Sequence, residues 1–325
     1  METDEHRPPP ASAPPPGAGG VVARGVRRTF RGAVAVDSID LDVPPGRVTA
    51  LIGPNGSGKT TLLLVLAGLL VPDAGTVRVG GVDLAADPVA ARRVTGWMPD
   101  VHGTWDSLTC REVLLTVADA HRLPRAGAAA RVEELLALVH LEEFAASPAH
   151  VLSRGQKQRL GLAQAVVHAP AVLLLDEPAS GLDPRSRVEL RQTLRGLAAG
   201  GTAVLISSHV LAELDELADR AVFVQRGRTV DVREDVQGPG GGAGGGPRRW
   251  RVRALDPAPL LAALAGWGVP TVPAGPALDV ELPDEAAAAS LLAALVREQV
   301  PVVAFAPAAG ALEQVYLDLD DGGRR

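Results

Sequence analysis

The stretch Gly53-Pro54-Asn55-Gly56-Ser57-Gly58-Lys59-Thr60-Thr61 decides how the rest of this chain is read. Before it stands an apolar strand-like run, Val48-Thr49-Ala50-Leu51-Ile52, and after it an apolar helical run from Leu62 to Leu70. Strand, glycine-rich turn and helix are the context that a G-x-x-x-x-G-K-[ST] match needs. Gly53, Gly56 and Gly58 let backbone N–H groups turn inward around a phosphate with no Cβ in the way. A helix starting near Lys59 adds the positive end of its dipole. Lys59 supplies a full charge for β and γ phosphates, and the Thr60 hydroxyl is a candidate ligand for Mg²⁺. Lys59 is one of two lysines in the sequence, the other being Lys157. A chance glycine turn is the competing reading, and the two correct flanks disfavour it.

The whole chain bounds what this loop can serve. A length of 325 residues suggests two domains, or one large one with an appendage. The hydrophobic fraction of 46% is ample for a packed core. A formal charge of −6 leaves no nucleic-acid footprint, so no nucleic-acid partner is expected. Cys110 is the only cysteine, which excludes an internal disulfide and points to a reducing compartment. Residues 1–20 are rich in proline, alanine and glycine, lack the layout of a secretory signal, and are expected to be a disordered tail. No apolar run approaches the roughly 20 residues that span a bilayer. Work at a membrane would therefore need another chain to do the spanning.

From Val21 the chain reads as strands to Asp42. Pro72 to Gly75 reads as a turn, Thr76 to Val79 as a short strand, and Val94 to Met98 as another, ending at Pro99-Asp100. From Asp106 to about Ala169 the apolar spacing is helical. Within it, Leu152-Ser153-Arg154-Gly155-Gln156 contains an S-x-x-Q capping box, which predicts a helix start with exposed N–H groups. Val172 to Leu175 suits a buried parallel strand and runs into Asp176-Glu177-Pro178. Ser180-Gly181-Leu182-Asp183 is a loop, with Asp183 as N-cap and Pro184 as the first helical residue. Ala203 to Ile206 is a second buried strand, running into Ser207-Ser208-His209, and Val222 to Val224 a third. Strands alternating with helices imply a mostly parallel α/β sheet whose ligand sits at the carboxyl ends of the strands. Asp176, Glu177, His209 and the glycine loop all fall at such ends.

The expected domains are thus a tail at 1–20, a nucleotide-binding domain at 21–237, a glycine-rich linker at 238–247 and a small α+β domain at 248–325. In the last, strands are expected over Trp250–Leu255, Leu278–Leu282 and Val302–Phe305. Helices are expected over Pro259–Trp267 and Glu285–Glu298, with a final short one at Leu312–Leu317.

Phosphoryl transfer from a nucleotide needs charge neutralisation, a held metal and an oriented water. The loop and Lys59 neutralise. Asp176 is placed to hold Mg²⁺ beside Thr60, which leaves Glu177 as the better candidate base. His209 would fix Glu177 or the water, since neutral imidazole both donates and accepts. An Asp-Glu pair or a His alone after a strand is usually structural. Following a phosphate loop in this order, the functional reading dominates.

GPNGSGKTT, LSRGQ, VLLLDEP, SGLD and the His of ISSHV, in this order, resemble the nucleotide-binding subunit of an ATP-binding cassette (ABC) transporter, over about Val21 to Gln237. The resemblance implies a P-loop NTPase cassette with a RecA-like parallel-sheet core and a helical subdomain, using ATP and Mg²⁺. It also implies a head-to-tail homodimer with two ATP molecules sandwiched between protomers. Ser153 and Gly155 would then touch the γ-phosphate on the opposite protomer, Asp183 would lie in the loop coupling the two sites, and Phe30 would stack on adenine. A packing aromatic at a strand end is the alternative for Phe30.

Two departures stand out. The third signature residue, usually glycine, is Arg154; backbone donation survives that change, and a guanidinium could add a phosphate contact. Where a glutamine usually senses Mg²⁺ and water, this chain has Asp100, whose ionised carboxylate cannot donate a hydrogen bond. Both are similar to a subgroup that pairs with ABC-2-type export permeases. The expected function is therefore an ATPase subunit energising export through a separate transmembrane permease, held peripherally on the inner face of the cell membrane. The alternatives are a soluble ABC ATPase of translation or DNA repair, and a binding-only cassette. Against the first stand a single cassette, no sustained heptads and no basic stripe. Against the second stand Lys59, Asp176, Glu177 and His209.

Overall fold

The computed structural model of the chain describes residues 19–101, 103, 107–208, 210–234, 236, 248–308, 312–313 and 315–316. It divides into two compact units, Met1–Glu234 and Asp235–Arg325. His209, the 238–247 stretch and nearly all of residues 1–20 lie outside the described residues.

The first unit opens with an antiparallel sheet. Its strands are β1 (Val21–Phe30), β2 (Ala33–Val43), β4 (Ala74–Val79) and β5 (Val82–Asp83), in the order β2-β1-β4-β5. Between β2 and β4 come β3 (Val48–Ile52) and α1 (Lys59–Leu66). Alternation in β1 and β2 buries Val21, Ala23, Val26, Ile39, Leu41 and Val43 on one face. That face shares a core with Leu62, Leu63, Val65 and Leu66 of α1. Helix α1 in turn touches the main sheet.

The chain continues through α2 (Pro88–Arg93), β6 (Thr95–Met98), α3 (Cys110–Ala120), α4 (Arg125–Leu138), two 3₁₀ turns (Glu142–Phe144 and Ala149–Val151) and α5 (Arg154–Val166). It then alternates β7 (Val172–Asp176), α6 (Pro184–Ala199), β8 (Ala203–Ser207), α7 (Leu211–Leu217), β9 (Arg220–Gln225) and β10 (Arg228–Arg233). The main sheet runs β10-β9-β3-β8-β7-β6, parallel throughout except for the β9–β10 hairpin. Every residue of β3, β7 and β8 is buried, as strands covered on both faces must be. Helices α3, α4 and α5 contact one another as a helical group, and α5 also contacts β6.

The second unit is a βαββαβ arrangement: β11 (Arg248–Ala254), α8 (Pro257–Gly266), β12 (Thr271–Ala274), β13 (Ala277–Leu282), α9 (Glu285–Arg297) and β14 (Val302–Pro307). Its antiparallel sheet has the order β12-β13-β11-β14. Trp250, Val252, Val280 and Leu282 meet Leu260, Leu264, Leu291 and Leu295 of the two helices in its core.

One local expectation is corrected, and two elements are added to those expected. Ala74 and Gly75 belong to β4 rather than to a turn; Gly75, at φ +92°, lies so close to β1 that a Cβ would fall 2.5 Å from the Gly25 carbonyl oxygen. Helix α2 is absent from the expected elements, although Asp87 caps it through Ala90 N–H and Pro88 opens it. Strand β12 is absent from them too, because Pro273 removes a donor; on an edge strand that loss is tolerated. In the final segment Leu312, Glu313, Val315 and Tyr316 are helical, and Leu317 lies outside the described residues.

Candidate nucleotide site

The glycine loop follows β3 directly and is moulded by its neighbours. A Cβ at Gly53 would fall 2.2 Å from the Val224 carbonyl oxygen, and one at Gly58 2.2 Å from the Ala35 carbonyl oxygen. Gly58 also caps α1 at φ +101°, a left-handed conformation that other residues rarely adopt. The turn between β9 and β10 pins the loop from below, since Gly227 N–H donates to the Ser57 carbonyl at 3.0 Å. Ser57 is buried, and its hydroxyl has no hydrogen-bond partner among the described residues. Gly56, at φ +80°, has no atom of the described residues within 4 Å of where a Cβ would stand. Pro54, Asn55 and Gly56 follow one another along the loop, and Asn55 and Gly56 are exposed. No acidic residue sits in the first turn of α1, so nothing within the helix offsets its positive end.

Lys59 is the first residue of α1 and is buried. Its Nζ donates to the carbonyl oxygens of Gly53 at 2.7 Å and Pro54 at 3.2 Å, so the ammonium rests inside the loop. Burial lowers its pKa from the ordinary lysine value, while the nearby carboxylates of Glu177 and Asp176 oppose that shift. Thr60 follows, and its hydroxyl donates to Asp176 Oδ2 at 2.8 Å. Thr61 stands half-buried at the next position of the helix.

Asp176 ends β7 and is 3% exposed. Its second oxygen accepts a short hydrogen bond from the Ser207 hydroxyl at the end of β8. Parallel register places Asp176 beside Ser207 and Leu51 beside Ser207 across β8, so three strand ends form one ledge. Glu177, one residue on, takes a left-handed φ of +50°. Its N–H donates to Ser207 O at 3.1 Å, and its carbonyl accepts from the buried Gln158 Nε2 at 3.0 Å. A non-glycine residue held in that conformation by its surroundings is a feature of functional turns. Met98 lies in register with Leu175, and Asp100, exposed, follows two residues beyond Met98.

The other expected residues fall in three places. Ser153 caps α5 with both halves of the capping box formed, Gln156 N–H to Ser153 Oγ at 3.2 Å and Ser153 N–H to Gln156 Oε1 at 2.8 Å. Gly155 sits in that first turn against Leu182. Asp183 caps α6, accepting from Ser186 N–H at 3.0 Å and from its hydroxyl at 2.6 Å, and these bonds hold its carboxyl below the usual range. Phe30 ends β1 and is 44% exposed, with the Arg28 guanidinium 5.0 Å from its ring centre, so it is not a core-packing aromatic.

The donor set fits a phosphate chain with a hard divalent cation. Thr60 and Asp176 offer adjacent oxygen ligands, and Mg²⁺ usually takes one or two carboxylates and completes its shell with phosphate and water. Among the described residues no cluster of three or more His, Cys, Asp or Glu forms a separate metal site.

Comparison with known proteins agrees with this geometry. Residues 36–180 match the family described as "ABC transporter". An uncharacterized ABC transporter ATP-binding protein, YxlF of Bacillus subtilis (strain 168), is 33% identical over 310 residues, covering 89% of this chain and 96% of that one. The chain belongs to the ABC transporter ATP-binding proteins. The daunorubicin resistance ATP-binding protein DrrA3 of Streptomyces coeruleorubidus is 38% identical over 210 residues, which is 65% of this chain and just under two thirds, 66%, of the relative. Among solved structures, the ATP-binding cassette MJ0796 in a dimeric post-hydrolysis state bound to ADP and Pi superposes with a TM-score of 0.62 at 25% identity, covering 67% of this chain and 99% of that chain.

Sequence reasoning missed three residues of this cassette. Ser207, Gln158 and Gly227 hold Asp176, Glu177 and Ser57 respectively. The signals are faint: a serine after an apolar strand, a second glutamine after the capping box, and a glycine in a hairpin turn.

Proposed function

We propose that this cassette binds and hydrolyses ATP to drive a separate membrane-spanning permease, of the ABC-2 type, in export. The observation that carries the reading is the junction of α1 and β7: a buried Lys59 ammonium inside the glycine loop, beside a Thr60–Asp176 oxygen pair. No described helix is long and apolar enough to cross a membrane, which fits a subunit that works on a spanning partner. The relatives' names, transporter ATP-binding and resistance ATP-binding proteins, favour transport over translation or DNA repair. Peripheral attachment at the inner face of the membrane follows from that partnership.

In this reading residues 21–237 are the nucleotide-binding domain, joined by the 238–247 linker to the α+β domain of 248–325. Gly53 to Thr61 surround the phosphates with backbone N–H groups, and Lys59 turns from the loop carbonyls to the phosphate oxygens. Thr60 and Asp176 would hold Mg²⁺, which when bound would neutralise charge on the phosphates. Glu177 takes the proton of the attacking water, and His209 and Asp100 orient the water and the metal's shell. Phe30 stacks on the adenine. Two copies close head to tail, so that Ser153 and Gly155 at the α5 start meet the partner's γ-phosphate, and Asp183 joins the two sites; the similar solved cassette is dimeric. Closure on ATP and opening after hydrolysis rock the permease.

Phosphate release from MgATP by the purified chain, with and without its permease, tests the reading. Lys59→Met is expected to lower nucleotide affinity by about tenfold or more while leaving the melting temperature within about 3 °C. The fold is indifferent because the ammonium is already desolvated at a cost. Failure of the wild-type chain to release phosphate under either condition would overturn it.

A further inference from the structure

We propose that Arg154, the residue that departs from the usual signature, is a positioning residue. It clamps the 177–183 loop from the start of α5, so that the turn of Ser153 and Gly155 and the backbone of Glu177 move as one piece.

Two observations place the clamp. The Arg154 Nη2 donates to Ser180 Oγ at 2.8 Å, across 26 residues of sequence. The arginine stem lies over Gly181: a Cβ there would fall 2.7 Å from Arg154 Nε and 2.8 Å from Cδ. Gly181 also stands at φ +76°, so the site that receives the stem favours glycine twice over. One helical turn along α5, Gln158 donates to the Glu177 carbonyl at 3.0 Å. Residues 154 and 158 are i and i+4, on one face of the helix. Between them Gly155 lies against Leu182, with an ideal Cβ 3.4 Å from Leu182 Cδ2. One face of α5 therefore grips the loop at Glu177, Ser180, Gly181 and Leu182.

The consequence concerns both nucleotides. Glu177 occupies a sparsely populated backbone conformation, which persists only while its surroundings enforce it. Gln158 is the fixed part of that enforcement, buried and one bond from the strained peptide. Arg154 is the exposed part, within reach of whatever approaches the α5 start. An event at that start is transmitted through the 154–180 contact to the loop after Glu177 in the same chain. This inference rests on the roles given to Ser153 and Glu177 above, and the clamp itself is testable without nucleotide.

Hydrogen exchange of the full nucleotide-free chain reads the clamp directly. Arg154→Ala is expected to speed exchange at the amides of Ala179–Leu182 by about fivefold, with β7 amides unchanged as the folding control. Ser180→Ala is expected to do the same, and to add nothing in the Arg154→Ala background. Arg154→Lys, which keeps a stem over Gly181 and one donor, is expected to restore at least half of the protection. In turnover, Arg154→Ala should lower kcat by about threefold to tenfold with KM for ATP within about twofold. Unchanged exchange at 179–182 in both alanine variants would overturn the clamp. So would a raised KM with kcat intact, which would put the guanidinium on the nucleotide instead. If the wild-type chain hydrolysed nothing yet the exchange results held, the proposed function would fail and the clamp would stand.

Discussion

The hydroxyl of Thr60 donates to Asp176 across 2.8 Å, joining the first turn of α1 to the end of β7, two places from β3 in the sheet. The other Asp176 oxygen is taken by Ser207 on the strand between them. The start of α1 and the acidic strand end are thus tied together through side-chain oxygens. In the proposed reaction such preorganisation would lower the cost of assembling a metal shell around a phosphate chain.

Asp176→Asn tests that junction. An amide keeps one acceptor and loses the other, so the nucleotide-free fold is expected to weaken by about 1–2 kcal/mol in urea unfolding. Phosphate release is expected to fall by about 100-fold, because an amide holds Mg²⁺ poorly. Turnover within twofold of wild type would remove Asp176 from the metal role.

The capping box of α5 separates stability from chemistry. Ser153→Ala removes the side-chain acceptor for Gln156 N–H and is expected to cost about 1 kcal/mol. Ser153→Asp keeps a good cap, so its stability should stay close to wild type. It also sets a carboxylate where a partner's γ-phosphate is proposed to arrive, and turnover should drop by about tenfold or more through like-charge repulsion. Thermal unfolding and phosphate release on the two variants check this; normal turnover in Ser153→Asp would contradict it.

A histidine pair supplies a pH dependence unrelated to catalysis. His121 and His168, after α3 and α5, stack with ring centres 3.7 Å apart and planes 7° from parallel. Burial first, then the charges of His121 and Arg131, push the His168 pKa down to about 4, against a hydrogen bond to the Thr95 carbonyl. Burial also lowers His121. The folded value lies below the unfolded one, so the neutral ring's contribution is complete above about pH 6.5 and is lost as pH falls toward 4. The span corresponds to the order of 3 kcal/mol. Unfolding free energies measured from pH 7 to pH 4 should fall less steeply for His168→Gln, and equal slopes would contradict the assignment.

Much of the cassette is legible in the sequence because its signals are local. The glycine loop, the Ser153 capping box and the Asp183-Pro184 helix start each depend on residues close to one another in the chain. The apolar runs Val172–Leu175 of β7 and Ala203–Ile206 of β8 announce a covered parallel sheet. What stays hidden depends on distant pairs. Ser207 meets Asp176 across 31 residues and Gln158 meets Glu177 across 19, and no pattern in either segment names its partner. The left-handed φ of Glu177 is likewise imposed from outside, by Ser207 and Gln158, on a residue with no intrinsic preference for it. Strand β12 and helix α2 escape notice because they are short, and pairing or capping sustains them rather than apolar periodicity.

Sedimentation of Glu177→Gln with MgATP tests the central claim most directly. The substitution would keep the backbone bonds that shape the turn while removing the proposed base. The expected result is a dimer, formed only with nucleotide, that retains about one ATP per protomer and turns over about 100-fold or more slower than wild type. A strictly monomeric variant holding no ATP, with or without the permease, or one hydrolysing ATP at the wild-type rate, would contradict it.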